Sequence, residues 1–94
     1  MPELIAAGTT QSAWTDFDVT TTPKALYIKP ATGDGPAPAG AAYEIAHKTP
    51  AGTRAVLYTL TPQNQLTHAT VAAPGPYSAR RMAGAVSSGL DVEG

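Results

Sequence analysis

The chain has 94 residues, a net charge of −1 and no cysteine, and its length is that of a single domain. Its six Lys and Arg residues are spread along the sequence, so a nucleic-acid-binding role, which needs a clustered basic patch, is excluded. Disulfides and thiolate metal sites are excluded too. No apolar run approaches the ~18 residues of a membrane span, and MPELIAAG lacks the features of a signal peptide. These observations predict a soluble protein made in the cytoplasm.

Charged residues make up 14% of the chain, well below the usual ~25%. The surface must therefore be covered largely by Ala, Thr, Ser, Gly and Pro. Two interpretations carry equal weight: a protein whose surface is partly covered by neighbouring subunits, and a low-charge monomer.

The predicted elements are short strands. Gly and Pro, nine of each, fall between apolar runs, and no stretch keeps a helical period, which is typical of a β-sandwich or barrel. The predicted strands are Glu3–Ala7, Asp16–Thr20, Lys24–Lys29, Ala42–Lys48, Arg54–Leu60, Leu66–Val71, Tyr77–Met82 and Val86–Val92. The predicted fold is all-β, a compact antiparallel β-sandwich that is either jelly-roll or immunoglobulin-like. Residues 14–94 form this domain, and residues 1–13 form an N-terminal segment that contacts assembly partners.

Alternation of side chains along a strand predicts its two faces. In Arg54–Leu60 both rows are fairly apolar, which predicts a strand that is central in its sheet, buried on two sides or against a neighbouring subunit. Trp14 and Phe17 flank the start of the second strand, and we expect both large aromatic rings to lie in the core.

Two segments are predicted to contact other subunits because they are apolar yet lie outside the strand core. One is the N-terminal segment Met1–Thr10. The other is the loop Pro30–Gly40, which is rich in Pro, Gly and Ala and cannot form a strand ladder. A plain exposed loop is the alternative for the second segment.

Catalytic and metal-binding patterns are not found in the sequence. His47 and His68 are the only possible imidazole bases, and no nucleophile motif surrounds any serine. Zinc needs three or four ligands. Asp16 and Asp18 share a strand face, but calcium needs six or more oxygens, so we expect a solvated strand face there. No catalytic, cofactor-binding or metal-binding residue is predicted, and the protein is not expected to be an enzyme.

The adjacent residues Arg80 and Arg81 lie in a predicted strand, so their side chains point to opposite faces. Arg81 shares its row with Tyr77 and Ala79, the more apolar side, and is expected to be the more buried arginine. It then requires carboxylate or carbonyl partners, and the expected partner is a carboxylate. The candidates are Asp16, Asp18, Glu44 and Asp91. Arg80 is expected to face solvent or a neighbouring subunit.

Several runs of the chain resemble small virion proteins of tailed bacteriophages. The central run spans Val71–Arg81, a turn followed by a tyrosine and the paired arginines. The other runs are Asp16–Val19, Ala25–Tyr27, Tyr43–Ile45, Thr59–Thr61 and Val86–Asp91. The similarity covers most of the chain, from Trp14 to Asp91. It implies a compact β-sandwich that assembles into the virion, on the capsid or in fibres and adaptors, and it implies no catalytic residue.

The resulting expectation is a capsid decoration or cement protein that binds at junctions between capsid subunits and stabilises the particle. The expected location is the virion, most often the capsid surface, and no cofactor, nucleic acid or membrane is involved. The expected partners are the major capsid protein, other virion subunits and further copies of the chain, a trimer being one arrangement. The interface candidates are Leu4, Ile5, Pro36, Pro38, Tyr58 and Arg80. The alternatives are a head-fibre, tail or adaptor component and a carbohydrate- or receptor-binding β module.

Overall fold

A computed structural model describes residues 3–33, 35–84 and 86–93, which form two antiparallel sheets of four strands each. The predicted all-β fold is confirmed. The strands are β1 (Glu3–Gly8), β2 (Thr15–Val19), β3 (Lys24–Pro30), β4 (Tyr43–Lys48), β5 (Arg54–Leu60), β6 (His68–Val71), β7 (Gly75–Arg81) and β8 (Ser88–Glu93), with a 3₁₀ turn at Pro62–Asn64. No helix in the described part of the chain is long and apolar enough to cross a membrane.

The order of the strands identifies the sandwich as a jelly roll. The first sheet has the order β1-β8-β3-β6 and the second sheet β2-β7-β4-β5. The antiparallel pairs β1–β8, β2–β7, β3–β6 and β4–β5 are those of one long hairpin in which the first four strands run beside the last four. Rolling this hairpin up adds the contacts β3–β8 and β4–β7. This arrangement of eight strands defines the jelly-roll alternative of the predicted sandwich.

The core lies between the inward faces of the two sheets, where every second residue of a strand is apolar. Leu26 and Leu90 of the first sheet and Tyr43 and Ile45 of the second are fully buried. The buried phenol oxygen of Tyr43 lies 3.1 Å from the Oγ atom of Ser88. This hydrogen bond joins a strand of one sheet to a strand of the other and satisfies both buried hydroxyl groups.

The N-terminal segment is part of the sandwich. Glu3–Gly8 is the edge strand β1 of the first sheet, and Ile5 is buried in the core. The β-sandwich therefore includes residues before position 14, the expected start of the domain, because Ile5 fills the inner face beside β8. A contact role for the segment stays a prediction, and its residues Met1 and Pro2 lie outside the described residues.

Strand β5 lies at the edge of the second sheet, so the prediction of a central strand within the chain is wrong. Its strand neighbour in the described structure is β4 alone. The side chains of Val56, Leu57 and Tyr58 are 47%, 49% and 43% exposed. Apolar residues on both faces of a strand indicate that both faces are covered. The pattern is the same whether the covering layer belongs to the same chain or to a partner.

Candidate functional site

Arg81 is buried on the inner face of β7, as predicted, with 7% of its surface exposed. Its Nη1 atom donates to the carbonyl oxygen of Ala6 at 2.6 Å, and its Nε atom donates to that of Thr10 at 2.8 Å. A longer contact of 3.5 Å joins Nη1 to the carbonyl oxygen of Ser88. Of the two kinds of partner predicted for this guanidinium, the carbonyls are confirmed and the choice of a carboxylate is wrong, because the acceptors among the described residues are backbone carbonyls.

The backbone of Arg81 reinforces the same connection. Its N–H donates to the Oγ atom of Ser12 at 2.8 Å, and its carbonyl oxygen accepts from the N–H of Ser12 at 3.0 Å. A Cβ atom added at Gly8 would lie 2.6 Å from Nη2 of Arg81, so a side chain at position 8 would displace the guanidinium. Arg81 therefore fastens the segment that crosses from the first sheet to the second.

Arg80 lies on the outer face of β7 and is half-buried. Its guanidinium forms an ion pair with Glu44 of β4 at 2.7 Å and lies 4.5 Å from the centroid of the Trp14 ring. The guanidinium of Arg54 lies 5.5 Å from the same centroid. Trp14 is half-buried, and the prediction that it lies in the core is wrong, because its ring packs against the two cations of the outer face. Phe17 does pack against the core.

Asp16 is the centre of a polar network on the same outer face. Its Oδ1 atom accepts from the Ser78 hydroxyl at 2.5 Å and from Nη2 of Arg54 at 3.2 Å, and its Oδ2 atom lies 3.4 Å from Nζ of Lys48. The hydrogen bond from Ser78, followed by that from Arg54, lowers the pKa of Asp16 from 3.8 to about 2. The carboxylate is therefore a partner of the sheet's own cations, although more than half of its side chain is exposed.

The two histidines do not meet. His47 of β4 packs edge-on against Tyr77 at 5.3 Å, and His68 of β6 stacks on Tyr27 at 5.6 Å in the other sheet. Among the described residues, no three His, Cys, Asp or Glu side chains lie close enough together to hold a metal ion. An open cleft of about 300 Å³ adjoins His47, with Lys48, Thr49, Pro50, Gly52 and Pro76 as its other walls. No sequence pattern predicted this cleft.

The interface candidates are spread over both sheets and the loop between β3 and β4. Ile5 is buried in the core and Leu4 packs against it, so the side chain of Ile5 is not on the surface. Pro36 is exposed and Pro38 is half-buried. Tyr58 is exposed on β5, whereas Arg80 already has Glu44 and Trp14 as partners. Tyr58 is thus the exposed large apolar side chain of this set.

The four sheet edges differ in how well they are protected against pairing. Strand β1 has Glu3 and two irregularities of register, β2 has the exposed residues Asp16 and Asp18, and β6 has only four residues. Strand β5 has seven residues, the charge of Arg54 at its start and one irregularity of register at Leu57. Its difference from the other edges is its run of exposed apolar side chains, Val56–Tyr58. Charges, bulges and short length are the usual protections of an edge. The sequence signal for this surface was the apolar composition of both rows of β5.

No family model matches the chain, and neither a curated protein nor a solved structure gives a significant match. The resemblance to phage virion proteins therefore stays an expectation based on the sequence.

Proposed function

We propose that this chain is a non-enzymatic virion structural protein of a tailed bacteriophage, and that it decorates the capsid. The observation that carries the proposal is the exposed apolar edge Val56–Tyr58 on a jelly roll whose core is complete without it. Contiguous exposed apolar surface marks a site of association. Jelly rolls form viral capsid domains as well as lectins, so the fold is compatible with this role but does not decide it.

The decoration protein would act by passive binding at junctions between capsid subunits. The loop Pro30–Gly40 supplies the exposed Pro36 and the half-buried Pro38, and proline loses little conformational freedom on binding because its φ angle is already restricted. Many copies on one particle would make weak individual contacts effective together. No group in this mechanism transfers a proton or forms a covalent bond.

The test is quantitative mass spectrometry of virions purified from the phage that encodes the chain. A copy number comparable to that of the major capsid protein supports capsid decoration, and particles that lack the chain should lose their contents at a lower temperature. A copy number typical of a portal or tail component would support the alternative of a head-fibre, tail or adaptor protein. Absence of the chain from purified virions would refute a virion role.

A carbohydrate- or receptor-binding module is the second candidate, and the exposed ring of Tyr58 favours it. Aromatic rings can stack on sugars, but Trp14, the larger ring, is packed against Arg54 and Arg80. Binding to a glycan array that is lost in Tyr58→Ala would favour this candidate over decoration.

A further inference from the structure

We infer that strand β1 is a strap with two fastenings of different chemistry, and that its first residues, 3–5, open separately from the rest of the fold about a hinge at Ala6. The opening withdraws Ile5 from the core and exposes the edge of β8. The inference concerns the isolated chain and does not rest on the proposed virion role.

The outer fastening is a partly exposed cluster of charges at the beginning of β1. The Nζ atom of Lys29, on β3, lies 2.6 Å from Oε2 of Glu3 and 3.2 Å from Oδ1 of Asp91 on β8. The hydrogen bond with Glu3 raises the pKa of Lys29 above its ordinary value, so the ammonium group is charged at neutral pH. The side chains of Lys29 and Glu3 are 30% and 46% exposed, and salt therefore screens the attraction between them.

The inner fastening is buried and does not depend on a pair of opposite charges. The guanidinium of Arg81 donates to the carbonyl oxygens of Ala6 and Thr10. A guanidinium stays protonated and a backbone carbonyl carries no titratable proton, and salt screens buried groups much less than exposed ones. The inner fastening therefore holds the chain from Ala6 onward under conditions that weaken the outer fastening.

The ladder between the two fastenings is irregular. The six residues of β1 lie opposite Ser88–Asp91, and the register shifts between Glu3 and Ile5 and again between Ile5 and Gly8. Each such bulge leaves a residue unpaired and disrupts the ladder locally. Free energies of local opening range from near zero to that of global unfolding. An edge segment with few regular backbone pairs before Ala6 belongs to the low end of that range.

The outer fastening and the first half of β1 meet at Gly89 of β8. A Cβ atom added at Gly89 would lie 2.8 Å from Cε of Lys29 and 3.0 Å from the carbonyl oxygen of Ile5. The stem of Lys29 and the backbone of β1 therefore lie against the same glycine. Breaking the outer fastening consequently loosens the segment that carries Ile5 into the core.

The test is amide hydrogen exchange of the full chain by NMR, between ~0.1 M and ~1 M salt, where the Debye length falls from ~10 Å to ~3 Å. Each rate is compared with that of the Leu26 amide in the inner strand β3 of the same sample. In the intact chain, the protected amides of residues 3–5 should exchange at least ~3-fold faster at the higher salt concentration. The amide of Ser12, which donates to the carbonyl oxygen of Arg81, should not respond.

Lys29→Met removes the charge and keeps an unbranched apolar stem. In this variant residues 3–5 should exchange fast at both salt concentrations, so the response to salt is lost. The matched control is Lys48→Met, whose ammonium group pairs with Asp16 in the second sheet at a similar exposure of 37%. It should leave the exchange of residues 3–5 and its response to salt as in the intact chain. Arg81→Lys should instead accelerate exchange at Ser12.

Three results would overturn the inference. Residues 3–5 could exchange only at the free energy of the Leu26 amide, which would mean that they open with global unfolding. Ser12 could respond to salt together with residues 3–5, which would remove the hinge. The response to salt could persist in Lys29→Met, which would exclude the outer fastening as its cause. If Lys29→Met does not fold, the first two results in the intact chain still decide. None of them depends on the copy number in virions, which tests the proposed function separately.

Discussion

The adjacent residues Arg80 and Arg81 lie on opposite faces of strand β7 and have different partners. On the inner face, Arg81 is buried and its guanidinium donates to backbone carbonyls. On the outer face, Arg80 is half-buried and pairs with a carboxylate, Glu44, beside the Trp14 ring. A guanidinium has five N–H donors in a fixed fork, so several fixed carbonyls can satisfy it without a second buried charge. The comparison shows that Arg81 holds the segment that connects the two sheets. Arg80 instead contacts side chains on the outer face and does not hold the connection.

The largest effect should come from Arg81→Ala. The substitution leaves the carbonyl oxygens of Ala6 and Thr10 without their charged donor in a buried place, and the free energy of unfolding should fall by about 3 kcal/mol. In a domain of this size, each kcal/mol of lost stability lowers the Tm by about 4–8 °C. Thermal circular dichroism measures this decrease. Arg81→Lys is the matched control for charge and should recover only part of the loss, because one ammonium group cannot reproduce the fork. An unchanged Tm in Arg81→Ala would contradict the role of this side chain as a fastener.

Ser78→Ala should have the next largest effect on stability. It tests what a buried hydroxyl group contributes on the outer face of β7. Ser78 is fully buried, donates to Asp16 and accepts from Nε of Arg54 at 3.0 Å. Removing the hydroxyl should cost about 1–2 kcal/mol in urea unfolding, because it leaves two charged groups without this partner. Thr70→Ala, at an exposed position of β6, is the control and should stay within about 0.5 kcal/mol. Equal effects of the two variants would mean that the Asp16 network contributes little.

Arg80→Ala should destabilise the chain by only about 1 kcal/mol, since a pair near the surface contributes ~0–1 kcal/mol. A double-mutant cycle with Glu44→Ala isolates the ion pair from the contact with Trp14, and a coupling energy of about 0.2–1 kcal/mol is expected. Because Arg80 is one of the interface candidates, Arg80→Ala is also expected to weaken assembly, which binding of the variant to particles would measure. A Tm loss in Arg80→Ala that equals the loss in Arg81→Ala would reverse the comparison between the two faces.

The smallest effect is the pH dependence that Asp16 contributes. Its pKa is about 2 in the folded chain and 3.8 as the ordinary value, so the folded state favours the ionised form. The resulting stabilisation is fully present above pH ~4 and is lost as the pH falls toward ~2. The difference in Tm between the intact chain and Asp16→Asn should therefore shrink across that window. Asp18→Asn controls for the loss of one negative charge. A difference that stays constant from pH 4 to 2 would show that Ser78 and Arg54 do not hold the carboxylate.

Local alternation in the sequence was sufficient to predict the strands and the burial of Arg81. Arg54–Leu60 was predicted with the bounds that the structure has, because Gly and Pro end the apolar runs on both sides. Arg81 was placed with Tyr77 and Ala79 on the more apolar row, and all three side chains are buried. These features follow from a period of two residues, which every strand carries in its own sequence.

Only the tertiary structure decided which groups meet. The acceptors of Arg81 belong to a segment about seventy residues earlier in the chain, and a backbone carbonyl has no identity in the sequence that could predict it. The position of β5 at an edge and of Trp14 on the outer face depends on strand order, which the rolling of the long hairpin determines through non-local pairing. Alternation predicts two faces for each strand. Which face points to the core, and which strand lies at the edge of a sheet, depend on how all the strands pack together.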